Sequence, residues 1–106
     1  MAMVPTAFID QAKLGQAVQR AIAKLGSDVL KIGYTIGADS TGDTSIFFRI
    51  LLSDAASQES TIGEATGKIA TLLFDEVQPY DNWGVLPYFS FRSASEQARH
   101  YDAAWE

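Results

Sequence analysis

Three groups of residues in this sequence have the types and spacing to do chemistry. The first is spread over two alternating runs and a third one further on. Lys31, Gly33 and Thr35 are two apart, as are Phe47, Arg49 and Leu51, and Tyr88, Ser90 and Arg92 repeat the spacing. Side chains two apart on a strand share a face. A sheet built from these runs would therefore gather three cations, aromatic rings and an aliphatic side chain on one surface. Aromatic and Arg anchors suit a protein interface. Rings for stacking and cations for phosphates suit single-stranded nucleic acid. The plain alternative is a face covered by the chain's own tail, with Arg stems lying over the aromatics. Gly33 is expected opposite Arg49, leaving open space over the backbone where a partner could approach.

The second group is Asp39-Ser40-Thr41-Gly42-Asp43. Its carboxylates and hydroxyls are hard oxygen ligands for a divalent cation. No bidentate Glu closes the loop, and the same residues are the usual ones of a hairpin turn, which is the reading adopted. The third group is acid–base. Asp28 and Asp54 should meet at the open end of a hairpin, and a buried carboxylate pair could move protons. Solvated strand-end residues are the expectation. No serine has a histidine near it in sequence, and the only histidine, His100, lies in a tail, where its titration could at most switch a docking contact.

The elements that must position these groups follow from periodicity. Val29–Asp54 reads as a hairpin. Leu30, Ile32, Tyr34 and Ile36 point to one side of the first strand, and Ile46, Phe48, Ile50 and Leu52 to one side of the second. Pairing Ile36 with Ile46 makes Tyr34 meet Phe48, Ile32 meet Ile50 and Leu30 meet Leu52, so every inward pair is apolar. Ala38 and Thr44 then close a loop of residues 39–43.

Before the hairpin, Leu14, Val18, Ala21, Ile22 and Leu25 recur at helical spacing. This predicts a helix over about 7–25, capped by Thr6 and stopped by Gly26, with residues 1–5 frayed. After it, Ile62, Ala65, Ile69, Leu72, Leu73 and Val77 predict a helix over about 58–77. Thr61 and Glu64 have capping-box spacing, and Pro79 ends the run. Gly63 and Gly67 lie one turn apart and are read as a tight packing face within the monomer rather than a dimer motif. QPYDNWG reads as a loop, with Trp83 across the edge of the core.

VLPYFSFRS then forms a third strand, with Phe89 and Phe91 towards the helices and Pro87 confining it to an edge. Ser93 and Glu96 open a short possible helix in residues 94–106, a docking tail whose Tyr101 and Trp105 are large groups to leave in water.

The order helix–strand–strand–helix–strand makes an α+β two-layer sandwich of one domain, residues 1–106. Two helices lie on one face of a three-stranded, mainly antiparallel sheet. Strand order 2-1-3 is preferred over 1-2-3. The 1-2-3 layout resembles the prokaryotic KH-type RNA-binding fold in its order of elements. That fold's GxxG loop between paired helices has no counterpart here.

Composition narrows the classes. The 106 residues are 47% hydrophobic, contain no cysteine and one histidine, and carry a net charge of −5. A chain of this size and composition is globular, with one core. It makes no disulfide, and a His-rich metal site is impossible within it. Its acidic balance opposes nonspecific attraction to nucleic acid or anionic membrane. No apolar run approaches the roughly 20 residues of a membrane-spanning helix. The start of the chain does not resemble a secretory signal, so a cytoplasmic protein is expected.

The reading reached is a small, non-enzymatic interaction module. It would form a homodimer, or dock on a protein partner, through Lys31, Gly33, Phe47, Arg49, Leu51, Tyr88, Arg92, Tyr101 and Trp105. No cofactor, metal or catalytic residue is expected. A nucleic-acid binder using the same face is the first alternative. A small-ligand binder or enzyme with a pocket near Trp83 is the second.

Overall fold

In the computed structural model, which describes residues 9–105, the chain enters through helix α1, Gln11–Leu25. Asp10 is its N-cap, and its carboxylate accepts a hydrogen bond from the Lys13 N–H at 3.0 Å. The helix thus begins later than the predicted Ala7. Asp10 is one of the strongest capping residues, and a cap at Thr6 is not needed. Thr6 itself and residues 1–5 lie outside the described residues. Leu14, Ala17, Val18, Ala21 and Leu25 are buried. Gly26 leaves the helix at φ 69°, a backbone conformation that favours glycine.

A single 3-10 turn, Gly26–Asp28, delivers the chain to strand β1, Val29–Ala38, which pairs antiparallel with β2, Thr44–Leu52. The predicted pairs Ile36–Ile46, Tyr34–Phe48 and Ile32–Ile50 all form. The fourth does not. Val29 pairs with Leu52 and Lys31 with Leu51, leaving Leu30 as an extra residue in a bulge. Val29 is 7% exposed and Leu30 55%. The register slip lets Val29, the first residue after a very short turn, fill the core position assigned to Leu30.

Residues 53–61 form a series of turns before α2, Ile62–Val77. Thr61 stands at the N-cap, but its hydroxyl donates to the Ala55 carbonyl at 3.0 Å and makes no cap bond, so the predicted capping box does not form. Gln78, at φ 46°, turns the chain out of α2 and directly into a short helix α3, Pro79–Trp83. A loop was predicted there. Pro79 suits the first position of a helix, where its missing N–H costs nothing. The Asn82 side chain donates to the Val77 carbonyl at 2.8 Å, satisfying an acceptor that the end of α2 leaves open.

Strand β3, Leu86–Ser93, runs parallel to β2 and pairs Phe89 with Phe48 and Phe91 with Ile50. The sheet order is β1-β2-β3. The preferred 2-1-3 order and the mainly antiparallel sheet are therefore corrected: one pair is antiparallel and one parallel. The reason lies in β2. Its inner face is apolar and its outer face carries Phe47 and Leu51 around Arg49, and inner and outer positions alike are buried or half-buried, as a central strand requires. Lys31 and Thr35 suit an edge better. Pro87 does lie on an edge strand, as predicted. Helix α4, Ala94–Arg99, follows with Ser93 as its N-cap, the hydroxyl accepting the Glu96 N–H at 3.0 Å. A 3-10 turn, Ala103–Trp105, closes the described chain.

The core lies between the inner sheet face and helices α1 and α2. Leu14, Ile46, Phe48, Ile50, Leu52, Ile69 and Leu73 are all essentially inaccessible. Phe48 makes an edge contact with Tyr34 and stacks on Phe89. Outside, Glu76 of α2 clamps Arg20 and Lys24 of α1, the former at 3.2 Å. Lys24, then Arg20, hold its carboxyl below the usual carboxylate range. Gly63 and Gly67 are not a packing face. A Cβ added at either would meet nothing within 4 Å. No helix among the described residues is long and apolar enough to cross a membrane.

Candidate interaction surface

The outer face of the sheet is set by the alternation that buries the inner one. Thr35 is paired with Phe47, Gly33 with Arg49 and Lys31 with Leu51, and across the parallel pair Phe47 meets Tyr88 and Leu51 meets Arg92. The structure thus brings together the seven sheet residues expected there. Phe47 and Tyr88 lie with ring centroids 5.3 Å apart and planes 15° from parallel, an offset-stacked geometry that adds attraction beyond the area buried. Tyr88 remains 42% exposed, and Leu86 beside it 39%.

The space over Gly33 is not empty. It is occupied by the Arg49 side chain, whose Nη2 would lie 3.7 Å from a Cβ placed on Gly33. The guanidinium donates from Nη1 to the Thr35 hydroxyl at 2.7 Å and from Nε to the Ala104 carbonyl at 2.8 Å. Lys31, Gly33, Arg49, Leu51, Ala104 and Trp105 surround a narrow slot between sheet and tail. Trp105 is half-buried there, while Tyr101 is 62% exposed.

Arg92 is the second clamp. It donates to the His100 carbonyl and approaches Glu96 at 3.8 Å, with only 11% of its side chain exposed. Gln97 completes the path by donating to the Asp102 carbonyl at 2.9 Å. The tail therefore engages Arg49 and Arg92, while Lys31, Thr35 and the Phe47–Tyr88 pair stay open to one side of it. Tail coverage was one of the readings of these residues; the structure shows it for Arg49 and Arg92.

The hairpin loop is a turn held by a carboxylate. Asp39 accepts from the Thr41 hydroxyl at 2.7 Å, the Thr41 N–H at 2.9 Å, the Asp43 N–H at 3.0 Å and the Tyr88 hydroxyl at 2.9 Å. These bonds, the Thr41 hydroxyl foremost, hold its carboxyl at about 2. The same contact pushes the Tyr88 phenol up. Asp39 thereby ties the loop to the far strand and fixes the Tyr88 ring on Phe47. Sequence reasoning assigned Asp39 to the turn but missed its reach to Tyr88. Only the parallel placement of β3 next to β2 brings the two together.

Asp28 and Asp54 do not form a carboxylate pair. Asp54 accepts the Ser95 hydroxyl and, at 2.9 Å, the Ser95 N–H, and both bonds lower its pKa. Asp28 lines a shallow cleft with Glu64 and Lys68. Trp83 packs half-buried against the core. Among the described residues no group of three or more His, Asp or Glu side chains is placed to hold a metal ion. Helices α2 and α3 are joined by Gln78 alone, so the observed 1-2-3 order comes without a GxxG loop. Comparison with protein-family models, with curated proteins and with solved structures finds no match.

Proposed function

We propose that this protein is a small non-enzymatic interaction module that self-associates, or docks on a protein partner, through the outer face of its sheet. One observation carries the reading: the face already holds a polypeptide segment. Arg49 and Arg92 donate to backbone carbonyls of residues 104 and 100, and half-buried Trp105 lines the slot beside Gly33. Carbonyl-directed Arg donors and an aromatic packed against a sheet face are means by which one protein surface recognises another. Beside the slot, Phe47, Tyr88 and Leu86 form an apolar strip open to a second surface.

Light scattering on the purified protein tests this. A dimer, or a copurifying protein partner, is expected, and Phe47→Asp should disrupt the assembly while the fold persists. A monomer at high micromolar concentration with no partner contradicts it.

The exposed Tyr88 ring also suits a stacked base, so single-stranded nucleic acid is the second reading. It ranks lower because the net charge is −5, which opposes a polyanion. Fluorescence anisotropy with labelled oligonucleotides at low salt separates the two, since added salt only weakens phosphate contacts.

A further inference from the structure

We infer that two copies of this chain exchange their C-terminal tails, each seating Ala104 and Trp105 in the other's slot of Lys31, Gly33, Arg49 and Leu51. The inference rests on the reading of the outer face as a self-association surface and specifies what crosses it.

The slot is built for this segment. Arg49 is braced by Thr35 at 2.7 Å and presents Nε to the Ala104 carbonyl at 2.8 Å. Lys31 and Arg49 line the slot, and the segment brings them a backbone acceptor, the Ala104 carbonyl that Arg49 takes. An identical tail from a second copy satisfies the same groups, so the contacts seen within one chain are available between two.

The path between α4 and the slot favours exchange. Residues 101 and 102 belong to neither helix nor strand, so redirecting the tail unravels no element and breaks only side-chain contacts such as those of Gln97 with the Asp102 backbone. Five residues, 101–105, span at most about 17 Å when extended. Two sheets packed face to face are about 10 Å apart. A tail can therefore cross from one outer face to the other. Face-to-face packing would also cover the Phe47–Tyr88 strip, which the tail leaves open within one copy. A two-fold axis makes both exchanges equivalent, the usual arrangement of a homodimer.

The test uses two full-length variants. Trp105→Ser keeps the slot and disables the tail; Arg49→Glu keeps the tail and disables the slot. Lys31→Glu is a second slot variant, at an exposed side chain, should Arg49→Glu fail to fold. Each is measured by sedimentation velocity alone and by native mass spectrometry in an equimolar mixture. Each variant alone is expected to dimerise at least about tenfold more weakly than the wild type, the loss expected for one charge-assisted hydrogen bond or one anchoring aromatic. The mixture is expected to recover heterodimer, since one intact tail meets one intact slot. If Trp105→Ser dimerises as the wild type does, exchange is overturned while the outer-face reading stands. A mixture that forms no heterodimer also overturns exchange. A wild type that stays monomeric overturns both.

Discussion

Replacing Trp105 by Ala should barely change global stability, because the tail rests on its own sheet with almost no net free energy. Two hydrogen bonds hold it to the sheet, from Arg49 to the Ala104 carbonyl and from Arg92 to the His100 carbonyl. Bonds from charged donors contribute about 1.5 kcal/mol each when partly exposed, about 3 together. Half-burial of Trp105 adds about 1.5 kcal/mol. Against this, ordering residues 101–105 costs about 1–1.5 kcal/mol apiece, or about 5–7. With about 1 kcal/mol more from the Gln97 amide bonded to the Asp102 backbone, the two sides cancel to within about 2 kcal/mol. The tail should therefore open often while the sheet stays folded. Amide hydrogen exchange measures this directly. The amides of Ala104 and Trp105, bonded to the Asp102 carboxylate and carbonyl, should show protection below about 100-fold. Those of Ile46 and Phe48 in β2 should exchange only with global unfolding. In urea, Trp105→Ala should lower stability by less than about 1–2 kcal/mol. Tail amides protected as strongly as those of β2 would refute the accounting and make exchange between copies slow or absent.

Other perturbations probe the fold and the face. Leu30→Lys should leave urea stability within about 0.5 kcal/mol of wild type, since Leu30 is bulged into solvent, whereas Val29→Lys should be severely destabilising. Gly67→Ala should stabilise the protein by up to about 1 kcal/mol through helix propensity, because nothing lies within reach of the added methyl; it should not alter oligomeric state, and loss of assembly would move the interface to α2. Phe48→Ala should cost about 3–5 kcal/mol, as it empties a fully buried site between Tyr34 and Phe89. The contribution of Asp39 to stability should be fully present above its unfolded value near pH 4 and lost as pH falls through its folded value of about 2. Its carboxyl resonance in an NMR titration should report that depressed value, and Asp39→Asn should remove this part of the acid dependence.

The inner half of the sheet was legible in the sequence because register is over-determined there: a one-residue slip would put Arg49 opposite Ile32. Its lower end was not. Val29 and Leu30 are both apolar, so periodicity alone did not decide which is buried, and the bulge follows from the shortness of the turn before it. Strand order was legible in principle. Phe47 and Leu51 put large apolar groups on the outer face of β2 as well as its inner one, which marks a strand with neighbours on both sides. The seven sheet residues of the surface were found by alternation. The groups that complete it, Asp39 beneath Tyr88 and the Ala104 carbonyl on Arg49, are contacts between distant parts of the chain, and backbone acceptors have no signature in residue type.

On the function proposed, the outer face of the sheet is where a second protein molecule sits. The amide spectrum of the isotope-labelled protein followed from low to high micromolar concentration locates that contact. Concentration-dependent shifts are expected at Lys31, Gly33, Thr35, Phe47, Arg49 and Tyr88 and in the tail. Shifts confined to α2 or to the outer edge of β1, or a spectrum unchanged by concentration in a protein that copurifies with no partner, would contradict it.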